Sequence, residues 1–225
     1  MTSLQKLLIP QKVKRKIRIG EGNENGGDGG YVVSPDHLPN YLISLGCSNS
    51  TSFEESYIEK IKGEYQIDIY DGSSACDLAE KNSNVNFFKK NVYSLNDFNI
   101  PEKCFLQCDI EGFEIDLFCI HNEKIKNIDQ MCIEVHFDIV NNLQNWLKFF
   151  NVINSTHSLI HIHGNNWRQG YFEGVPVVAE LTYIKSDLLE DIGIQELGCP
   201  DKNLDMPNNQ NLPELEFCWW KNINK

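Results

Sequence analysis

Positive charge is scarce in this chain: 20 lysines and arginines stand against 32 aspartates and glutamates over 225 residues, a formal charge of −12. Such a surface repels a phosphate backbone and anionic lipid headgroups, so polymeric nucleic acid is not an expected partner. Long apolar runs are missing as well. None approaches the ~18 residues that span a bilayer, and no apolar stretch near the start ends in a small-residue cleavage site. Membrane insertion is therefore not expected, and a cytoplasmic protein is. The eight cysteines contain no Cys-x-x-Cys pair and no metal-ribbon spacing, which argues against a structural zinc site. Several lie in apolar runs, where a free cysteine behaves as a small buried hydrophobe. Gly-x-Gly-x-x-Gly is also absent, so the dinucleotide fingerprint is not met. The few basic residues cluster early, at Lys12, Lys14, Arg15, Lys16 and Arg18. They read as a solvated arm, and as the one patch able to meet a phosphorylated ligand.

The length suits one α/β domain over residues 1–225, with an N-terminal arm and glycine-rich entry loop over 1–35 and a polar tail over 200–225. No internal repeat is present, and a homo-oligomer remains open. Short apolar runs at residues 31–33, 41–45, 66–70, 85–88, 104–108, 130–135, 159–163 and 177–184 read as strands. Helical spacing recurs over 53–61, 75–81, 111–120 and 143–150. Strands separated by helices imply βαβ units and a mostly parallel sheet, which places ligands at the carboxyl ends of the strands. The aromatic patch Phe217-Cys218-Trp219-Trp220 is expected to pack the chain end.

The chemistry-bearing residues follow those strand ends. Gly46 closes the run 41–45 and precedes Cys47, Ser48 and Asn49; a residue without Cβ lets backbone approach a ligand, and N–H groups at the next helix start can receive a carboxylate. Asp71, 25 residues further on, stands where an acidic side chain accepts bonds from ribose hydroxyls. With no second glycine to accommodate a pyrophosphate, a nucleoside without phosphates fits better than a dinucleotide, and S-adenosylmethionine is such a ligand. Asp109-Ile110-Glu111-Gly112-Phe113-Glu114 sets three carboxylates in six residues at a strand-to-helix turn. Crowded carboxylates suit a general base or recruit a cation; equally, Glu111 and Glu114 suit the first turn of a helix. His136 follows the run 130–135 and can face the same crevice, so Asp109, Glu111 and His136 are the catalytic candidates and the candidate ligands of a divalent metal such as magnesium. His161 and His163 share a strand face, and His163, Asn165 and Asn166 carry suitable donors and acceptors for sugar hydroxyls.

These motifs together resemble the FkbM-type family of S-adenosylmethionine-dependent methyltransferases. Arg18 followed by Asp28-Gly29-Gly30-Tyr31-Val32-Val33 is similar to an Arg…DGGYV entry segment, and Gly46 through Ser52-Phe53-Glu54 to a cofactor loop. Residues 109–114 match the D-x-E-G-x-E signature; Glu134-Val135-His136, His161-Ile162-His163-Gly164-Asn165-Asn166 with Glu180-Leu181-Thr182, and Asp205-Met206-Pro207-Asn208-Asn209 resemble later segments. The resemblance covers most of the chain. It implies a Rossmann-like class I methyltransferase fold, a mostly parallel sheet with helices on both faces. It also implies cofactor contacts among Asp28, Gly29, Tyr31, Gly46, Cys47, Ser48, Asn49, Ser52, Phe53, Asp71 and Gly72. O-methylation of a surface-glycan sugar or its precursor is the implied activity. A small-molecule acceptor such as a polyketide or phenol, or an inactive scaffold in glycan assembly, are the alternatives.

Overall fold

A computed structural model of the chain describes residues 1–20, 30–190 and 193–221. Asp28 and Gly29 lie outside the described residues. In chain order the elements are α1 (Ser3–Leu7), β1 (Ile17–Ile19), β2 (Tyr31–Val33), β3 (Tyr41–Leu45), α2 (Ser52–Lys60), β4 (Gln66–Tyr70), α3 (Asp77–Lys81), β5 (Val85–Phe88), β6 (Cys104–Cys108), α4 (Glu114–Cys119), β7 (Ile128–His136), α5 (Leu143–Asn154), β8 (His157–Gly164), β9 (Tyr171–Phe172), β10 (Val175–Pro176) and β11 (Val178–Lys185). Seven strands form one sheet in the order β5-β4-β3-β6-β7-β11-β8. β3 is parallel to β4 and β6, and β6 to β7, while β11 runs antiparallel between β7 and β8. The expected strand Tyr31–Val33 forms outside this sheet, as an antiparallel hairpin with β1.

Alternating side chains feed two cores. Ile43, Leu45, Leu106, Ile133 and Val135 point to one face, where Leu117 and Phe118 of α4 and Trp146, Phe149 and Phe150 of α5 cover them. Leu42, Ile67, Ile69, Phe105 and Cys132 point to the other, under Phe53 and Tyr57 of α2 and the hairpin residues Ile19, Tyr31 and Val33. Burial on both faces is why β3 and β6 read as short continuous apolar runs rather than alternating ones. Trp220 closes the chain end at 1% exposure, and six of the eight cysteines are buried and all are free, as expected. Among the described residues no helix is long and apolar enough to cross a membrane.

One expectation is corrected and another holds only in part. The helix read over 111–120 starts only at Glu114, because Glu111 (φ 52°) and Gly112 (φ 99°) take left-handed backbone and form a turn. The early basic cluster is a solvated arm at Lys12, Lys14 and Arg15, which are exposed, but not at Lys16. Lys14 pairs with Glu190 at 2.7 Å and Arg15 with Asp36 at 3.4 Å, while Lys16 is mostly enclosed, donates to Gln195, and has its pKa lowered to about 8 by burial.

One polar group sits inside the second core. Glu54 of α2 is 2% exposed, accepts from Ser44, and its Oε2 has no hydrogen-bond partner among the described residues. Burial raises its pKa above the usual carboxylate range. The protonated form is therefore favoured in the fold, and stability present below the unfolded value of ~4.3 is lost as pH rises toward the folded one. Glu54→Gln is expected to raise the melting temperature by a few degrees at pH 8 and by less at pH 5, at ~2–4 °C per kcal/mol for this size. Thermal denaturation at the two pH values checks it.

Candidate active site

The carboxyl ends of β3, β4 and β6 are drawn together by backbone. The Gly46 N–H donates to the Tyr70 carbonyl at 2.9 Å, and the Asp109 N–H donates to the Leu45 carbonyl at 2.9 Å. Gly46 has φ +80°, and a Cβ placed there would lie 1.8 Å from the Asp109 carbonyl oxygen. Only glycine permits this approach. Asp71 clasps the loops on either side. Its Oδ1 accepts from Ser73 N (2.7 Å), Ser73 Oγ (2.8 Å) and Ser74 N (2.9 Å), and its Oδ2 accepts from Ser48 N at 2.9 Å. Burial alone would raise the Asp71 pKa; these bonds outweigh it and hold the carboxyl below its ordinary value.

Between these loops opens a cleft of about 250 Å³ lined by Gly46, Asp71, Gly72, Asn91, Tyr93 and Phe113 among others. Tyr93 and Phe113 meet edge to face with centroids 5.0 Å apart at its rim. Gly72 lets Asn91 close in, since a Cβ there would lie 2.0 Å from Asn91 Oδ1. Lys90, the one lysine among the described lining residues, donates to the Asp97 carbonyl at 2.6 Å.

Asp109 and Glu111 also line a second, adjoining cavity of about 450 Å³, with Glu134, His136, Asp138, Ile139, Asn165, Trp167 and Arg168. His136 ends β7 and is 5% exposed. Its Nδ1 lies 2.9 Å from Glu114 Oε1, which also accepts from the Gly112 N–H at 3.0 Å. Glu114, fully buried, thus fixes the turn at residues 111–113 and points the other imidazole nitrogen at the carboxylates. His136 Nε2 lies 3.4 Å from Glu111, 3.5 Å from Glu134 and 3.9 Å from Asp109. Burial by itself would lower the His136 pKa; the Glu114 bond and the surrounding carboxylate charges outweigh it and raise the pKa. Donor atoms of Asp109, Glu111 and His136 all fall within 4.8 Å of one another, close enough to share a cation.

The sequence candidates divide accordingly. Gly46, Asp71, Gly72, Asp109, Glu111, His136 and Asn165 line the two connected cavities. Ser48 and Asn49 are exposed beside them, and Ser52 begins α2. Cys47 is buried with Sγ 3.5 Å from Ser74 Oγ, while Tyr31 and Phe53 pack together as core, ring centroids 5.6 Å apart. His163 and Asn166 are 1% and 0% exposed and face the tail rather than the crevice. His163 sits between Glu180 (2.9 Å) and Glu214 (3.4 Å), and the Asn166 amide donates to the Asn209 and Leu212 carbonyls. His161 bonds Asp205 at 2.8 Å on the same face. Glu134, Asp138, Trp167, Arg168 and the segment 89–93 were not among the candidates. Residues 89–93 follow β5, so the strand-end rule that found Asp71 reaches them too.

A mostly parallel sheet whose penultimate strand in the order, β11, is the one antiparallel member, with its cleft beyond β3 and β4, is the class I methyltransferase form of the Rossmann-like fold. No family model and no curated protein matches the sequence. Solved structures similar to it include a protein assigned as an rRNA-methylase from Clostridium thermocellum, at 8% identity over 67% of this chain and 90% of that one, TM-score 0.45. Fibrillarin, a pre-rRNA processing protein from Methanococcus jannaschii, overlaps at 10% identity over 68% and 69%, TM-score 0.42. The plantazolicin methyltransferase BamL, in complex with SAH, overlaps at 14% identity over 65% and 77%, TM-score 0.38. At such overlaps the fold assignment rests on strand order and direction.

Proposed function

We propose that the chain is an S-adenosylmethionine-dependent O-methyltransferase of FkbM type acting on a sugar hydroxyl. The observation that carries the reading is the junction of the two cavities at Asp109 and Glu111: one cleft suits a nucleoside, and the other presents proton acceptors beside it. The first cleft fits this cofactor's chemistry. Asp71 offers carboxylate oxygen for ribose hydroxyls, Tyr93 and Phe113 offer aromatic surface, and among the described lining residues Asp71, Asp109 and Glu111 against Lys90 favour a cation over a pyrophosphate. When bound, S-adenosylmethionine supplies an electrophilic methyl group on a positively charged sulfur.

The chain's own part is positioning and proton removal. Alignment of an acceptor hydroxyl supplies much of the rate. Asp109, Glu111 and His136 form one coupled proton-accepting group, with Glu114 holding the imidazole in place. Asn165 stands at the crevice floor, its amide donating to Glu134 at 3.1 Å, and is suited to orient the acceptor. Asp109, Glu111 and His136 could alternatively share a divalent ion that acidifies the hydroxyl.

Calorimetry with S-adenosylhomocysteine tests the cofactor assignment; micromolar binding, about −8 kcal/mol, is expected, and its absence favours a scaffold. A magnesium-dependent gain would assign the ion. Asp109→Asn keeps the backbone carbonyl that faces Gly46, so cofactor binding is expected to stay within a few-fold while methyl transfer falls roughly 10²–10⁴-fold. Parallel binding and turnover assays check it.

A further inference from the structure

We infer that the crevice beside Asp109 takes an uncharged pyranose laid against Trp167, and rejects sugars carrying phosphate or carboxylate. The inference rests on the methyl-transfer reading and names its acceptor class. Trp167 lines the crevice yet is 55% exposed, and Ile139 beside it is 54% exposed. A large indole left uncovered at a cavity mouth is apolar surface available to a ligand. It is also held in place. The Trp167 backbone N–H donates to Asn165 Oδ1 at 3.0 Å, which fixes the main chain that carries the indole, and the Asn165 side-chain amide in turn donates to Glu134 on the crevice floor. Arg168, the next residue, lies 3.6 Å from Asp138.

The crevice is thus amphipathic, with an apolar lip of Trp167 and Ile139 and a polar floor of Asp109, Glu134, His136 and Asn165. A pyranose has the matching two-sided chemistry: an axial C–H face that packs on an aromatic ring, and a rim of hydroxyls that donate to carboxylates. A flat phenol offers fewer hydroxyls to that floor than a pyranose does. Charge narrows the class further. The described lining residues include four carboxylates, Asp109, Glu111, Glu134 and Asp138, against one arginine, Arg168, which lies 3.6 Å from Asp138. The early basic cluster, the only sequence feature that suggested a phosphorylated acceptor, lines neither cavity. An anionic sugar would be set against like charge.

Saturation-transfer NMR on the full chain tests this, with and without S-adenosylhomocysteine, in EDTA and again in magnesium. The probes are methyl glycosides of glucose, galactose, mannose and rhamnose, then glucuronate, glucose 6-phosphate and catechol. At least one neutral glycoside is expected to bind, with both anionic sugars weaker by about tenfold or more. Trp167→Ala should weaken the neutral sugar by about tenfold and Trp167→Phe should largely retain it, with S-adenosylhomocysteine affinity unchanged in both. The inference is overturned if no glycoside binds, if an anionic sugar or catechol binds as tightly in either buffer, or if Trp167→Ala changes nothing. Failure of S-adenosylhomocysteine to bind while a glycoside does would remove the cofactor reading and leave the sugar site standing.

Discussion

Gly46→Ala is expected to abolish S-adenosylhomocysteine binding and to lower the melting temperature by roughly 10 °C. The new Cβ would overlap a backbone oxygen, Asp109 O at 1.8 Å, and not the movable end of a side chain. Relief requires the ends of β3 and β6 to separate, which breaks the bond from the Asp109 N–H to the Leu45 carbonyl and shifts Asp109 between the two cavities. Left-handed backbone adds ~1 kcal/mol, and the overlap brings the total to about 3–4 kcal/mol, at the upper end for single substitutions. At ~2–4 °C per kcal/mol the shift is large enough to read by calorimetry. Gly63→Ala separates the two contributions. Gly63 has φ +86° but its Cβ would meet nothing closer than 3.8 Å, so it should lose only the conformational part and leave cofactor affinity intact. Equal losses at both positions would mean that the approach of Gly46 to Asp109 is unimportant.

The same junction marks how far the sequence could be read. The strand, loop and helix around Gly46 are local: an apolar run, a glycine and helical spacing within 20 residues, and all formed as expected. The run from Asp109 to Glu114 stood out as a candidate site for a different reason, the crowding of three carboxylates into six residues at a strand end. Its shape was not legible. Glu111 and Glu114 both suit a first helical turn, and nothing local reveals that Glu111 adopts left-handed backbone while Glu114 turns inward to His136. That inward turn depends on a contact 22 residues away, between α4 and the end of β7. Nothing in the sequence around Trp167 marks it; its exposure beside Asn165 is visible only in the fold.

His163→Ala is expected to destabilise the fold by about 3–5 kcal/mol, the cost of leaving a buried charge without its partner. Alternation along β8 puts His161 and His163 on one face, as read, but the crevice is not what they face. The tail returns over that side and brings Asp205, Asn208 and Glu214 onto β8 and β11. Asn208 donates to Glu180 at 2.6 Å, so Glu180 joins the tail and the histidine in one network. Burial alone would push the His163 pKa down; Glu180 and Glu214 outweigh it and raise the value to about 10. Because the folded value lies above the unfolded ~6.5, the ion-pair contribution is complete below pH 6.5 and is lost as pH rises toward 10. Wild-type stability should therefore fall across that window, and His163→Ala should flatten the profile while lowering it below pH 6.5. Denaturant midpoints at pH 6, 8 and 10 provide the check. Proteolysis supplies an independent one, since a tail released from His163 should be cut sooner after residue 200 than in the wild type. A His163→Ala chain that kept both its midpoint and its resistance to cleavage would show that the network does not anchor the tail, and would reopen the crevice as the place where His163 acts.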